Sequence, residues 1–224
     1  MNATVSVVVL LLVWGTFAGL DLATLLQGLL TRPLVSGSVT GVIVGDVEAG
    51  LRIGAVLELF ALDVVPVGGS RYPDYGAATV AAVLSGAHTD WIESLGLSVG
   101  IGLVLARLGG DMVVVLRRIN ARTVGAKADL LAQGDARAVA EVHWAGFRHD
   151  IVRSALLAVL AVAVGFAVRA LPALDPGTGR LLGVIALGGA FWAVMHGAVA
   201  SARHERRWRW LVGGLAVGLV AALV

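Results

Sequence analysis

Five carboxylates in the N-terminal part of the chain, Asp21, Asp46, Glu58, Asp63 and Asp74, lie in or beside apolar segments. A charged carboxylate at the centre of a bilayer costs at least about 2.5 to 3.5 kcal/mol on insertion scales, so such a group has a partner or a task. Glu58 is the sharpest case. It sits in the run Gly54-Ala-Val-Leu-Glu-Leu-Phe-Ala-Leu with no cation within a helical turn. An ionised carboxylate accepts hydrogen bonds from two hydroxyls at once, the geometry a hexose offers. The competing reading is a structural carboxylate bonded to backbone amides of a neighbouring broken helix. Asp74 follows Arg71-Tyr72-Pro73 in a Gly-rich loop, and is either the cap of a half-helix beginning near Gly76 or a substrate contact. Asp46 and Glu48 precede Gly50 and read as a solvated turn, with Arg52 a candidate ion-pair partner for one of them. Asp21, near Gln27, reads as an inter-helix hydrogen-bonding group rather than a ligand. Asp63 is open between a structural and a binding role.

Imidazole is a phosphoryl carrier and the commonest metal ligand, but the five histidines are scattered: His88 in a loop, His143 and His149 in a polar segment, His196 in an apolar span and His204 among arginines. No pair has the spacing of a helical metal site, and Walker A, Gly-x-Ser-x-Gly and kinase signatures are missing. Cysteine is absent, which removes thiolate ligands, disulfides and a Cys nucleophile. No metal, no cofactor and no catalytic constellation is therefore expected.

The elements that must position these residues are set by composition. Of 224 residues, 58% are hydrophobic and only 14% charged, whereas soluble domains carry about 25% charged residues. Stretches of about 20 apolar residues cross a bilayer, and residues 5–20, 95–116, 154–171 and 181–200 are of this kind, the second interrupted by Arg107 and Asp111. The N-terminal run lacks a basic leader and a cleavage pattern and reads as the first membrane helix. The net charge of +2 is not a nucleic-acid signal, because the arginines flank apolar segments without interleaved aromatics. Arg117, Arg118, Arg122, Lys127, Arg137, Arg148 and Arg153 form one basic cluster, and Arg203, Arg206, Arg207 and Arg209 a second. Both are expected in the cytoplasm, and the two spans between them return the chain to the same side.

The segment 33–86 differs. Its apolar pieces, 34–44, 53–62 and 77–84, are too short to cross alone and are divided by the polar runs GDVEAG and VGGSRYPDYG. Such backbone survives at membrane depth only when buried in protein or lining a water-filled cavity, so the transport site is expected here. The chain reads as an all-α polytopic membrane protein with short re-entrant or broken helices. Three regions are expected: an N-terminal membrane region 1–116 containing the re-entrant core 33–86, a cytoplasmic amphipathic helical segment 117–153 broken at Gln133-Gly134, and C-terminal membrane helices 154–224. The last run, residues 210–224, is only marginally long enough to span.

The sequence from Arg32-Pro33 through the Gly-rich apolar run to Gly45-Asp46, and on to Gly54-Ala-Val-Leu-Glu58-Leu, resembles the IIC membrane component of the mannose/fructose/sorbose-type bacterial phosphotransferase system. The following Val65-Pro-Val-Gly68-Gly69 and Pro73-Asp74, and farther on Ala126-Lys-Ala-Asp129 and Val142-His143-Trp, are also similar to that family. The chain is shorter than the family's members at its C-terminal end, and Asp63 and Arg71-Tyr72 put charge and bulk where the family has small or apolar residues.

The resemblance implies a multi-pass subunit of the bacterial inner membrane that conducts a hexose-like sugar inward. It would work with a IID membrane subunit, as a trimer of heterodimers, and with IIA and IIB phosphocarrier proteins that phosphorylate the sugar; the permease subunit would have no catalytic residues of its own. Glu58 falls at the family's sugar-contacting position, and Asp74, Asp63, Gly68 and Gly69 join it as expected substrate-binding residues. Basic cytoplasmic side chains imply contacts with lipid headgroups or with IIB. Two other functions fit the residues: a non-transporting scaffold or sensor that keeps this fold, and an independent transporter coupled to protons through Asp21, Glu58 or Asp63.

Overall fold

The computed structural model describes residues 3–25, 27–63 and 71–196, which form eight helices: α1 Ala3–Asp21, α2 Pro33–Val44, α3 Val47–Ala61, α4 Tyr75–Gly86, α5 Trp91–Gly125, α6 Ala128–Ala132, α7 Ala136–Arg169 and α8 Pro176–Val194. The protein is all-helical, as the composition requires. The expected residues Gly68 and Gly69, the basic cluster 203–209 and the apolar run 210–224 lie outside the described residues.

Three helices, α5, α7 and α8, are long and apolar enough to cross a membrane, while α1, α2 and α4 are shorter apolar helices. At about 1.5 Å per residue, α5 and α7 are each about 50 Å long, well beyond a hydrocarbon core of about 30 Å. Their surplus lies where α5 ends and α7 begins, at the arginine-rich end, and α6 joins them there. The chain turns at Gln133-Gly134, where Gly134 takes a positive φ of 74°.

Five helices begin on an aspartate whose side chain accepts a backbone N–H of the first turn: Asp46 for α3, Asp74 for α4, Asp90 for α5, Asp135 for α7 and Asp175 for α8. Each satisfies donors that the helix leaves unpaired and places negative charge at the positive end of its dipole. Pro33 and Pro176 occupy the first turn of α2 and α8, where a missing N–H costs nothing.

The short helices α2 and α3 form a hairpin about Gly45, which ends α2 in the left-handed conformation at φ 78°. Glycines face each other across it. A Cβ on Gly37 would lie 2.5 Å from the Gly50 carbonyl oxygen and 2.9 Å from the Gly54 Cα, and one on Gly41 would lie 2.7 Å from the Asp46 carbonyl oxygen. The two backbones are in direct contact, the packing that small residues permit. The turn is pinned to the α4–α5 loop, because Asp46 also accepts the His88 N–H at 2.7 Å and the His88 ring meets the Val44 carbonyl at 3.1 Å.

At the centre stands α4. All twelve of its residues are buried, and it is enclosed by α1, α2, α3, α5 and α7. Its sequence, YGAATVAAVLSG, is small enough to be surrounded on every side, and at about 18 Å it is too short to span. The core therefore contains a half-helix, as expected for 77–84. Around this core the outer faces are apolar: Val13 on α1, Leu156 on α7, and Val184, Phe191 and Trp192 on α8 are all more than half exposed. A surface of this kind, with three spanning helices, belongs to a multi-pass membrane protein.

Candidate functional site

The acidic residues divide into three groups. The first surrounds the N-terminus of α4. Asp74 is fully buried; one carboxylate oxygen accepts the Gly76 N–H at 3.2 Å and the other the Arg153 guanidinium at 2.5 Å. The cap anticipated for Asp74 is present, and it is joined to α7. Arg153 also donates to Asp150 at 2.7 Å, to the Gly19 carbonyl at 2.8 Å and to Ser154 at 3.0 Å. Asp150 in turn accepts the Thr24 hydroxyl. One buried guanidinium thus ties α1, α4 and α7 together, with Asp74 and Asp150 as its counter-charges and all three side chains hydrogen-bonded, the condition for keeping charges out of water.

The second group is at the start of α2. Glu58 of α3 accepts the Leu34 N–H at 3.2 Å and forms an ion pair with Arg32. It therefore caps a neighbouring short helix, the structural alternative weighed for it. Its cation comes from 26 residues away in sequence, far beyond a helical turn. The Glu58 side chain still keeps 19% of its surface exposed. Asp63, farther along, lies 3.3 Å from the His196 ring at the end of α8.

The third group holds loops. Asp21 accepts the N–H groups of Gly28, Leu30 and Thr31 at 2.8, 2.7 and 3.3 Å. These bonds fix a loop in which Gln27 and Leu29 have positive φ of 49° and 70°, a conformation costly for side chains with a Cβ. Asp21 thus serves the chain that follows it rather than a second helix. Backbone bonds from Ala49 and then His88 hold the Asp46 carboxyl below the usual carboxylate range. Arg52 pairs with Glu48.

The sequence places Arg153 in the basic cluster expected in the cytoplasm, whereas the structure buries it in this network; Asp150 is a residue that the sequence reading leaves out. Their signal is an Asp and an Arg three residues apart at the threshold of the apolar run 154–171, an i,i+3 pair on one helix face. Arg32 was read only as part of a motif.

Between α5 and α7 at the arginine-rich end is a cavity of about 600 Å³, lined also by residues of the α1–α2 loop and by Tyr72. Among the described residues no group of three or more His, Cys, Asp or Glu side chains is disposed to hold a metal ion.

The sequence pattern of the family described as the PTS system sorbose-specific IIC component matches residues 5–174. The chain belongs to that family. Among curated relatives of this IIC chain, the mannose-specific EIIC component of Escherichia coli K12 is 28% identical over 138 residues, covering 60% of this chain and 50% of the relative. The fructose permease IIC component of Bacillus subtilis is 29% identical over 113 residues, covering 50% and 41%. The sorbose-specific EIIC component of Klebsiella pneumoniae is 33% identical over 91 residues, covering 40% and 33%. The chain thus spans about half the length, or less, of the curated relatives it matches. In fold it resembles a chain of the cryo-EM structure of the mannose transporter ManYZ in complex with microcin E492, with a TM-score of 0.60 at 21% identity, covering all of this chain and 88% of that one.

Proposed function

We propose that this chain is the sugar-conducting IIC permease subunit of a mannose-family phosphotransferase system. It passes a hexose-like sugar inward across the bacterial inner membrane for phosphorylation by IIA and IIB partner proteins, and has no catalytic residues of its own. A IID-type membrane subunit completes the pathway, assembled with it as a trimer of heterodimers, and lipid headgroups meet the basic end. The observation that carries this reading is Glu58, a partly exposed carboxylate on a half-helix hairpin in a chain of this family. Its hydrogen bond from the first turn of α2 and its ion pair with Arg32 fix its position, and a fixed carboxylate recognises a pair of hydroxyls.

In this reading Asp63, together with Gly68 and Gly69 outside the described residues, completes the contact set, since glycines let backbone approach a ligand closely. Asp74 is occupied by Arg153 in this conformation. It reaches sugar on the stroke in which α4 shifts relative to α7. The arginine-rich ends of α5 and α7 face the cytoplasm by the positive-inside rule.

The test is sugar uptake in cells carrying Glu58→Gln. The variant is expected to reach the membrane at normal levels and to lose most uptake. Normal uptake by an inserted Glu58→Gln protein removes Glu58 from the site.

A further inference from the structure

The cavity of about 600 Å³ between α5 and α7 has a size typical of small-molecule sites, and its chemistry differs from that around Glu58. Its polar lining comes from Arg117, Asn120, Thr123, His143, Thr24, Gln27 and Tyr72, and no Asp or Glu is among the described residues that line it. Asp150 is close by, for it accepts the Thr24 hydroxyl, but it is fully buried and ion-paired with Arg153. The region of Glu58 and Asp63, by contrast, presents carboxylates.

The contrast sorts ligands by charge. A neutral sugar gains its strongest hydrogen bonds from carboxylates, whereas a phosphate monoester is repelled by them and is held by a guanidinium through paired N–H donors. Hydroxyls on the same ligand need amide and hydroxyl partners: Gln27 offers a side-chain amide, and Asn120 and Thr24 keep further hydrogen-bonding capacity beside their bonds to His149 and Asp150.

We propose that this cavity is a binding site for a phosphorylated polyol, specifically the sugar phosphate that forms at the cytoplasmic face, with Arg117 as its anion anchor. The sugar identity rests on the permease reading; the preference for a phosphorylated ligand rests on the lining alone. The glycerophosphate headgroup of a lipid shares this chemistry and is the other source to distinguish.

Calorimetric titration of the full chain, purified in mild detergent, with hexose 6-phosphate, the parent hexose and short-chain phosphatidylglycerol is the test. Arg117→Ala is expected to weaken hexose 6-phosphate binding by about tenfold or more, the scale of a hydrogen bond to a charged group. Arg117→Lys should restore part of it, and Glu58→Gln should leave it unchanged while weakening the parent hexose. Hexose 6-phosphate binding that ignores Arg117 or follows Glu58 overturns the site. Arg117-dependent binding of phosphatidylglycerol without hexose 6-phosphate gives the cavity to lipid and overturns the sugar-phosphate assignment. A failed permease reading looks different: cells then show no uptake of the parent hexose, whatever the cavity binds.

Discussion

Arg153 is the side chain whose loss the core tolerates least. It is the cation shared by Asp74 and Asp150 where neither reaches water, so Arg153→Ala leaves two buried carboxylates without a cation. The expected cost is about 3 to 5 kcal/mol, read as a lower unfolding temperature in detergent. Combining Arg153→Met with Asp74→Asn and Asp150→Asn should recover much of that loss, because the uncompensated charge is gone. If Arg153→Ala alone melts with the wild type, the network is not a structural tie. Asp74 also shows why a buried acid is ambiguous when read from its neighbours in sequence. One carboxylate caps a half-helix and faces a cation 79 residues away, and only the second contact depends on the fold.

At the scale of elements, glycine positions make opposite predictions according to what surrounds them. Gly100 on α5 has nothing within 4 Å of an added Cβ, so Gly100→Ala should raise stability by about 0.5 to 1 kcal/mol through helix propensity. Gly37→Ala should lower it by about 1 to 3 kcal/mol, since its Cβ meets the α3 backbone. Thermal unfolding of the two variants side by side checks the pair, and equal behaviour would argue against the close α2–α3 contact.

The Asp46 clasp makes a pH prediction for the same hairpin. The Asp46 carboxyl is held below its ordinary value, so its stabilisation is complete above the unfolded pKa of about 3.9 and is lost as pH falls through the depressed folded value. Wild type and Asp46→Asn should therefore differ most near neutral pH and converge in acid. A gap that is constant from pH 6 to pH 3 would mean the carboxylate charge does not hold the clasp.

For the whole molecule, the long α7 carries the chain from the arginine-rich end to the turn before α8, so the two places lie on opposite sides of a membrane. The absence of cysteine makes this directly measurable with single introduced thiols. Arg122→Cys should be labelled by an impermeant reagent only from the cytoplasmic side, and Gly177→Cys only from the outside. Labelling of both from one side would refute the path of α7. The shape also explains why α5 and α7 are longer than a bilayer requires: their polar surplus walls the 600 Å³ cavity beyond the apolar belt.

By itself the sequence determined the solvent, the helical class and the shortness of the segments in 33–86. These follow from local hydropathy and from Gly and Pro placement, which act within a few residues. The Asp caps were legible too, though only Asp74 was read as one; Asp46, Asp90, Asp135 and Asp175 carry the same local signal before a helical run. Tertiary structure alone decided which cation meets which acid: Arg32 with Glu58, Arg153 with Asp74, the His88 amide with Asp46. It also decided that Asp21 binds its own following loop, and that α5 and α7 line a cavity with no Asp or Glu among its described residues. The physical reason is range. Helix formation and membrane insertion are written in neighbouring residues, whereas a buried charge is balanced by whatever the packing of distant helices brings within about 3 Å of it.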